Sequence, residues 1–326
     1  MKAISFLFIL LTLSGALEAK WLTCYNDVER NFKRINNQPS ALYKYSPNKI
    51  FGLVEYKLAI TNKVGIDNHL QGLSKTDNAY IISGANFKNR SGDIFVLQND
   101  KVVNRVRVAS GNNWHIGGIQ ASGNIVAVSL EPYKVENQQK FSVLQLWDFS
   151  NLNNPIQIRE SQIKNLPSYT PAAGILRLGN GRYLIGQLSH NFELYLSNSA
   201  NLRTGIVPNS LRTNRVKIGG TSFSLIRQCD GKVYLITFDN DEGKIPVPVS
   251  KGKNYATLYE VGHEESLGKG IVNFRQIDRR FFYCKRKCSF RAGGSVKNLG
   301  NGSFSFISTK MFRKYASGKI YIAEFF

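Results

Sequence analysis

The stretch TPAAGILRLGNGRYLIGQLSHNF, residues 170–192, decides how the rest of the chain is interpreted. It begins with an apolar segment that has Gly174 at its centre, turns at Gly179, Asn180 and Gly181, and ends in a second apolar segment. This pattern predicts a β-hairpin, because glycine and asparagine adopt the positive φ angles that tight hairpin turns need. The same pattern recurs along the chain, so the sequence predicts a repeat protein.

Five segments share a glycine-led strand, a turn of Asp, Asn or Gly, and a β-branched or aromatic strand. They are residues 69–84, 115–130, 172–187, 219–238 and 292–309. A third strand is predicted after each hairpin, at 93–97, 141–147, 192–196, 255–261 and 319–325. A fourth is predicted at 102–108 and 156–161, less clearly at 271–277, and is poorly defined after residue 196. Four strands per repeat are typical of a β-propeller blade.

The two ends of the chain predict how the ring closes. The fifth repeat reaches Phe326 after three strands, and an orphan strand, residues 50–60, precedes the first hairpin. The orphan strand would complete the last blade and remove open sheet edges. We therefore predict an all-β fold, a five-bladed β-propeller over residues 50–326 whose ring is closed by an N-terminal strand. A β-sandwich or two smaller β domains is the alternative.

One repeat also carries a family resemblance. In SVLQLWDFSNLNNP, residues 142–155, a third strand ends in a turn containing Asp148, Ser150 and Asn151, with Pro155 a few residues on. This turn resembles the repeat of secreted LVIVD-type propeller proteins. The resemblance covers about one blade; it implies a propeller and implies no activity.

The N-terminal region and the cysteines indicate an exported protein. Residues 1–19 have the Lys2 start, the apolar core and the small residues of a secretory signal peptide, and residues 20–49 are predicted to form an arm on the propeller. We expect a secreted protein, extracellular or periplasmic. Cys284 and Cys288 can close a local loop, which leaves Cys24 to pair with Cys229. Other pairings stay open, since four cysteines allow three connectivities. No cofactor or metal is expected, because Cys284 and Cys288 lack a second ligand pair.

The charge of the chain bears on its partners. The formal net charge is +21, from 43 Lys and Arg against 22 Asp and Glu. Such a charge suits nucleic acid, acidic polysaccharide, lipopolysaccharide or a lipid surface, although a solvated basic protein is the other interpretation. No later stretch is apolar enough to span a membrane, and we expect a monomer.

The mouth of the predicted channel is where a ligand is expected. His69 and His115 open the first strands of two adjacent repeats, and Trp114 lies beside His115. They can contact a ligand at the mouth, or they can hydrogen-bond loop backbone and fix the blades. Glu131 is the best single candidate for a functional acid. A propeller hydrolase acting on carbohydrate or phosphoester would use His69, His115 and Glu131, but it needs two or three converging carboxylates, which the first strands lack.

The basic segment RQIDRRFFYCKRKCSFR, residues 275–291, is the second candidate site. We interpret its aromatic residues as alternating core residues of a fourth strand, and Lys285, Arg286 and Lys287 as a turn that contacts an anion. The leading hypothesis is a non-enzymatic binding module for a glycan or another anionic polymer. The hydrolase is the alternative, and a scaffold for another protein is the third.

Overall fold

The computed structural model describes residues 24–45, 68–86, 89–132, 141–167, 169–189, 191–208, 211–213, 218, 220–240, 253–284, 288–309 and 320–326. Within these ranges the chain forms twenty-one β-strands and two short α-helices, α1 (Val28–Arg34) and α2 (Glu264–Gly268). The all-β class is therefore confirmed. No helix in the described ranges is long and apolar enough to cross a bilayer. The predicted signal peptide, 1–19, and the predicted orphan strand, 50–60, lie outside them.

Most strands form five consecutive antiparallel sheets, named sheets 1 to 5 below. Sheet 1 contains β2 (Asn68–Lys75), β3 (Tyr80–Asn86), β4 (Ser91–Gln98) and β5 (Lys101–Ser110). Sheet 2 contains β6 (His115–Ser122), β7 (Ile125–Glu131), β8 (Ser142–Asp148) and β9 (Ile156–Leu166). Sheet 3 contains β10 (Ala172–Arg177), β11 (Tyr183–Leu188) and β12 (Phe192–Leu196). Sheet 4 contains β14 (Ser222–Arg227), β15 (Lys232–Asn240), β16 (Asn254–His263) and β18 (Arg275–Phe282). Sheet 5 contains β19 (Ser295–Asn298), β20 (Phe304–Thr309), β21 (Ile320–Phe325) and β1 (Ala41–Tyr45). The five predicted hairpins and the five third strands are thus present.

The first strands of the sheets contact one another in the order β2, β6, β10, β14 and β19, and β19 also contacts β2. The region between these five strands is called the channel below. Serine hydroxyls connect several neighbours: Ser74 Oγ accepts from the Ala121 N–H at 2.8 Å, and Ser122 Oγ accepts from the Arg177 N–H at 3.0 Å. Ser224 Oγ likewise accepts from the Val296 N–H at 3.1 Å. A single parallel pair, Gly118 with Ala172, makes sheets 2 and 3 continuous.

Glycines in the first strands are required by close approach of neighbouring chains. A Cβ on Gly117 would lie 2.1 Å from the carbonyl oxygen of Pro171, so β6 can meet the start of β10 only without a side chain there. A Cβ on Gly174 would lie 2.3 Å from a ring carbon of Phe223 and 2.6 Å from Oε1 of Gln120. The recurrent glycine of the hairpin pattern therefore serves packing between sheets as well as the turns.

Gln120 crosses the channel from β6. Its side-chain Nε2 donates to the Leu225 carbonyl at 2.7 Å, and its Oε1 accepts from the N–H groups of Leu225 at 2.9 Å and Ile175 at 3.3 Å. First strands have one edge without a strand partner, and the amide satisfies backbone groups on two such edges. The side chain is 6% exposed, so it links β6, β10 and β14 through the channel.

The N-terminal segment corrects the predicted ring closure. Residues 20–49 were predicted to form an arm, but they contain α1 and strand β1, which pairs antiparallel with β21 from Ala41 opposite Glu324 to Tyr45 opposite Ile320. The other edge of β21 pairs with β20. Both edges of β21 are therefore occupied, and the place assigned to residues 50–60 is taken by β1.

The two predicted disulfides are confirmed, Cys24 with Cys229 and Cys284 with Cys288. The first holds the start of the N-terminal segment against the β14–β15 turn, where Tyr25 N–H also donates to the Arg227 carbonyl at 2.9 Å. Phe32 of α1 packs with Phe306, at 5.7 Å between ring centroids, in the core between sheets 4 and 5. Disulfides are typical of oxidising compartments.

Fourth strands depart most from the prediction. Residues after β12 follow it irregularly, with the Val207 N–H donating to the Leu196 carbonyl at 2.8 Å and the Leu211 N–H to the Leu194 carbonyl at 2.7 Å. The strand predicted at 271–277 is two strands: β17 (Ile271–Val272) pairs with β13 (Arg212–Thr213), and β18 pairs with β16. The break falls where Phe274 packs on Phe192 of sheet 3, at 5.5 Å between centroids.

Candidate functional site

One end of the channel, called the mouth below, gathers residues that precede the first strands. His115 begins β6 and Glu131 ends β7, and the two are cross-strand partners in register. Nδ1 of His115 lies 2.7 Å from Oε1 of Glu131, and both side chains are buried. Oε2 of Glu131 accepts from the Thr170 N–H at 3.2 Å. The hairpin register therefore unites two predicted site residues and ties them to the segment entering β10.

The ring of His115 is hydrogen-bonded on both nitrogens. Nε2 lies 2.9 Å from the amide nitrogen of Gln71 on the neighbouring strand β2. With Nδ1–H donating to Glu131, Nε2 is the acceptor for the Gln71 amide. A general base needs a nitrogen that can reach a substrate proton, so Gln71 would have to be displaced before His115 could act as one. The arrangement instead suits a bridge that fixes sheet 1, sheet 2 and the start of sheet 3.

The other two predicted mouth residues have different positions. His69 lies on β2 with its backbone opposite Ala85, and its side chain is outside the described part. The group that reaches His115 from sheet 1 is Gln71, two positions further on. Trp114 is 3% exposed, packs in the core cluster between sheets 1 and 2, and meets the His115 ring edge-on at 5.8 Å. Its burial leaves no ring face for a ligand, so we do not include it in the proposed site.

Tyr169 is the exposed aromatic residue at the mouth, with 44% of its surface accessible. Burial of the rest raises its pKa; Glu131 and Asp239 raise it further, while Arg291 lowers it. Glu131 is also linked to this segment by geometry, since its Oε2 accepts from the N–H of the adjacent Thr170. Tyr169, Asp239 and Arg291 were not among the predicted site residues. The signal available for Tyr169 was an aromatic residue in the short link before β10.

A row of cross-strand neighbours leads from the mouth across sheet 4. Asp239 on β15 pairs with Tyr255 on β16, which pairs with Phe281 on β18. The Tyr255 and Phe281 centroids are 5.7 Å apart, and Phe281 lies 4.4 Å from Tyr283, which is 49% exposed. Tyr255 and Phe281 are partly exposed. These three rings are called the aromatic row below.

Two cations lie on the aromatic row. The guanidinium carbon of Arg279 is 4.2 Å from the Tyr255 centroid, and Nζ of Lys253 is 5.7 Å from the Phe281 centroid. Both cations are exposed, and cation–π attraction holds such groups over ring faces. The row therefore presents aromatic surface and positive charge together, which suits a ligand that carries both ring faces and anionic groups.

The basic segment 275–291 is divided between core and surface. Phe282 and Phe290 are fully buried, as expected of core aromatics, but Phe281 and Tyr283 lie on the opposite face of β18. The interpretation of every aromatic residue here as core is therefore wrong for those two, because strand residues alternate between faces. Lys285, Arg286 and Lys287 lie outside the described residues. Cys284 and Cys288, which flank them in the sequence, form a disulfide.

Within the described ranges, no three His, Cys, Asp or Glu side chains come together in a way that could hold a metal ion.

Comparison with known proteins gives distant similarities. No family model matches the chain. No curated protein matches it either. A thermostable family-43 glycoside hydrolase is 12% identical, with 81% of this chain and 91% of that chain covered and a TM-score of 0.44. An exo-1,5-α-L-arabinanase from a bovine ruminal metagenomic library is 10% identical, with 81% and 95% covered and a TM-score of 0.44. The GH62 α-L-arabinofuranosidase catalytic domain of Coprinopsis cinerea is 8% identical, with 88% and 98% covered and a TM-score of 0.43. Similarities at these identities and TM-scores assign no activity to this chain.

Proposed function

We propose that sheets 1 to 5 are the blades of a closed five-bladed β-propeller, completed by β1, in a secreted monomeric protein with a signal peptide at residues 1–19. The ring closure is supported by the contacts between successive first strands and by the approach of Gly293 to Leu73, where a Cβ would lie 3.0 Å from the backbone nitrogen. The two disulfides support an oxidising compartment. Membership of the LVIVD-type proteins also stays a proposal.

The protein binds an anionic polysaccharide at the mouth and along the aromatic row, without turning it over. The observation that carries this proposal is the aromatic row of Tyr255, Phe281 and Tyr283, which adjoins Asp239 and has Arg279 and Lys253 over its rings. Aromatic rings stack on the apolar faces of sugar rings, and the cations attract sulfate or carboxylate groups. The sequence adds three further cations, Lys285, Arg286 and Lys287, between Cys284 and Cys288.

The hydrogen bonds of His115 and Glu131 support binding over catalysis. Both nitrogens of the imidazole and both oxygens of the carboxylate are engaged within the protein. Their role in the proposal is to hold the segment before β10 so that Tyr169 stands at the mouth.

A hydrolase is the second candidate, and one observation favours it. Glu131 ends β7, and Asp239 follows Phe238, which pairs with Ser222 at the start of β14, so both carboxylates belong to the strand ends at the mouth. A glycosidase needs two such groups across a scissile bond. In that case Asp239→Asn would abolish release of reducing sugar from a polysaccharide panel while leaving the protein folded.

The experiment is binding of the purified mature protein to heparin, polygalacturonate, neutral dextran and single-stranded DNA, each at low and high salt. We expect binding to the two acidic polysaccharides that weakens with salt, since exposed charges are screened. Loss of one stacking ring costs about 1–3 kcal/mol, so Tyr169→Ala and Phe281→Ala should each weaken affinity about 10-fold. Arg203 is an exposed cation in the short 3-10 helix Leu202–Thr204, which follows sheet 3. Arg203→Gln is the matched control and should leave the affinity unchanged.

The outcomes separate the alternatives. Equal loss in Arg203→Gln would mean that net charge alone drives binding. Tighter binding to DNA than to either polysaccharide would make nucleic acid the partner. Failure to bind any of the four polymers would refute the binding proposal.

A further inference from the structure

A polar cavity lies at the end of the channel opposite to Tyr169. Its volume is about 340 Å³, and its lining includes the turn ends of four first strands, among them Lys75, Ser122, Arg177 and Asn298. Thr170 precedes β10 at the mouth, and Arg177 ends that strand at the cavity. Because a β-strand rises about 3.3 Å per residue, the cavity lies about 20 Å from the mouth. Gln120 also lines the cavity, and its three hydrogen bonds to β10 and β14 close it toward the mouth.

Arg177 is the residue of this cavity with an unsatisfied nitrogen. Its Nε is buried and has no hydrogen-bond partner in the part of the chain that the structure describes, a state that Nε of Arg227 at the end of β14 shares. Other cations at this end are neutralised: Nη1 of Arg227 lies 2.9 Å from Glu264, and Nζ of Lys297 lies 2.7 Å from Glu324. No ion pair of Arg177 occurs among the described residues. A buried guanidinium nitrogen without an acceptor is costly, and a bound anion would remove that cost.

Lys75 supplies the second positive charge. Its ammonium donates to the main-chain oxygens of Thr76 at 2.8 Å and Asp77 at 3.3 Å, and an ammonium has three protons to donate. The carboxylate of Asp77 also belongs to the lining, but Asp77 is exposed at the rim. The lining residues named for this cavity thus include two cations, Arg177 and Lys75, and one exposed carboxylate, Asp77.

We propose that this cavity is a binding site for an oxyanion, the carboxylate, phosphate or sulfate group of a small ligand. Arg177 is the principal contact, because a planar guanidinium matches two oxygens of such a group. Lys75 is the second cation, and Ser122 and Asn298 supply polar groups at the sides. A volume of about 340 Å³ fits a ligand of monosaccharide size. The site is separate from the mouth and does not depend on the polysaccharide proposal.

The test is calorimetric titration of the mature protein with phosphate, sulfate, D-glucuronate and, as the neutral probe, glucose, at constant ionic strength. We expect saturable binding of at least one oxyanion and none of glucose. Arg177→Gln should reduce the affinity at least tenfold, and Arg177→Lys should restore part of it. Arg203→Gln and Tyr169→Ala should bind the oxyanions with the affinity of the wild-type protein, although Tyr169→Ala is expected to weaken polysaccharide binding. The preferred probe distinguishes an inorganic ion from an acidic sugar as the source of the group.

Thermal unfolding gives a second, ligand-free readout. In anion-free buffer, Arg177→Gln should unfold at the wild-type temperature or above it, because the guanidinium it removes has no hydrogen-bond or ion-pair partner among the described residues. A clear drop would show that Arg177 is held by the protein itself and would overturn the proposal. Absence of saturable binding of any of the three oxyanions, or equal binding by Arg177→Gln, would overturn it as well. Loss of polysaccharide binding in Tyr169→Ala with retained oxyanion binding would show that the two sites are independent.

Discussion

Replacing Gln120 by alanine tests whether one amide connects three sheets through the channel. The side chain makes three hydrogen bonds to backbone groups of Leu225 and Ile175, all at a position that is 6% exposed. Each such bond contributes about 1 kcal/mol net to stability, so Gln120→Ala should lower the free energy of unfolding by about 3 kcal/mol. For a chain of this size that loss corresponds to a fall of about 5 °C in melting temperature.

The assay is urea unfolding followed by circular dichroism at neutral pH. Gln276→Ala, on the exposed strand β18, is the matched control and should lie within about 0.5 kcal/mol of wild type. A Gln120→Ala protein as stable as the control would refute the reasoning, because it would show that water in the adjoining cavity serves the Leu225 and Ile175 groups equally well.

Gln120→Glu gives the same prediction a pH signature. The introduced carboxyl keeps acceptors for the two N–H groups but, when ionised, faces the Leu225 carbonyl without a proton. Burial and that carbonyl raise its pKa in the folded state above the unfolded value. The folded state then binds more protons than the unfolded state, so stability should fall as pH rises above about 4. A pH-independent difference from wild type would contradict this account.

Three further outcomes concern the N-terminal segment, the mouth and the oxyanion cavity. Replacing Cys24 and Cys229 together by serine should cost about 2–4 kcal/mol of unfolding free energy, measured in denaturant; an unchanged midpoint would mean that α1 and β1 hold the segment alone. Glu131→Gln keeps an acceptor for the Thr170 N–H but removes the charge beside His115, and should cost about 1–2 kcal/mol while polysaccharide binding persists; a folded variant that no longer binds would make Glu131 a ligand contact. Burial, and next the charge of Lys297, lower the pKa of Lys75, while Asp77 raises it. Lys75 should therefore lose its proton at a lower pH than an ordinary lysine does, and the affinity for sulfate should fall as the pH rises through that lower range. The same fall in a Lys75→Gln protein would disprove the assignment.

The candidate site was only partly predictable. His115 and Glu131 were identified separately from repeat position and residue type, and the hairpin register joins them. Tyr169 precedes β10, Asp239 lies on β15 and Arg291 precedes β19, so no local pattern connects them. The aromatic row was misjudged at Phe281 and Tyr283, since a run of three aromatic residues does not reveal which strand face is buried.

The sequence by itself determined the hairpin repeat, the third strands and the all-β class, because these depend on turn residues and on alternation within short segments. It proposed the disulfide pairs from the cysteine count but left other pairings open. Only the tertiary structure decided that β1 takes the place expected of residues 50–60, that Gln120 spans the channel, and that Arg177 has a buried nitrogen without a partner among the described residues. Each of these depends on groups far apart in sequence. Pairing at a sheet edge and satisfaction of buried polar atoms are properties of the assembled neighbours, and a strand's own residues do not specify them.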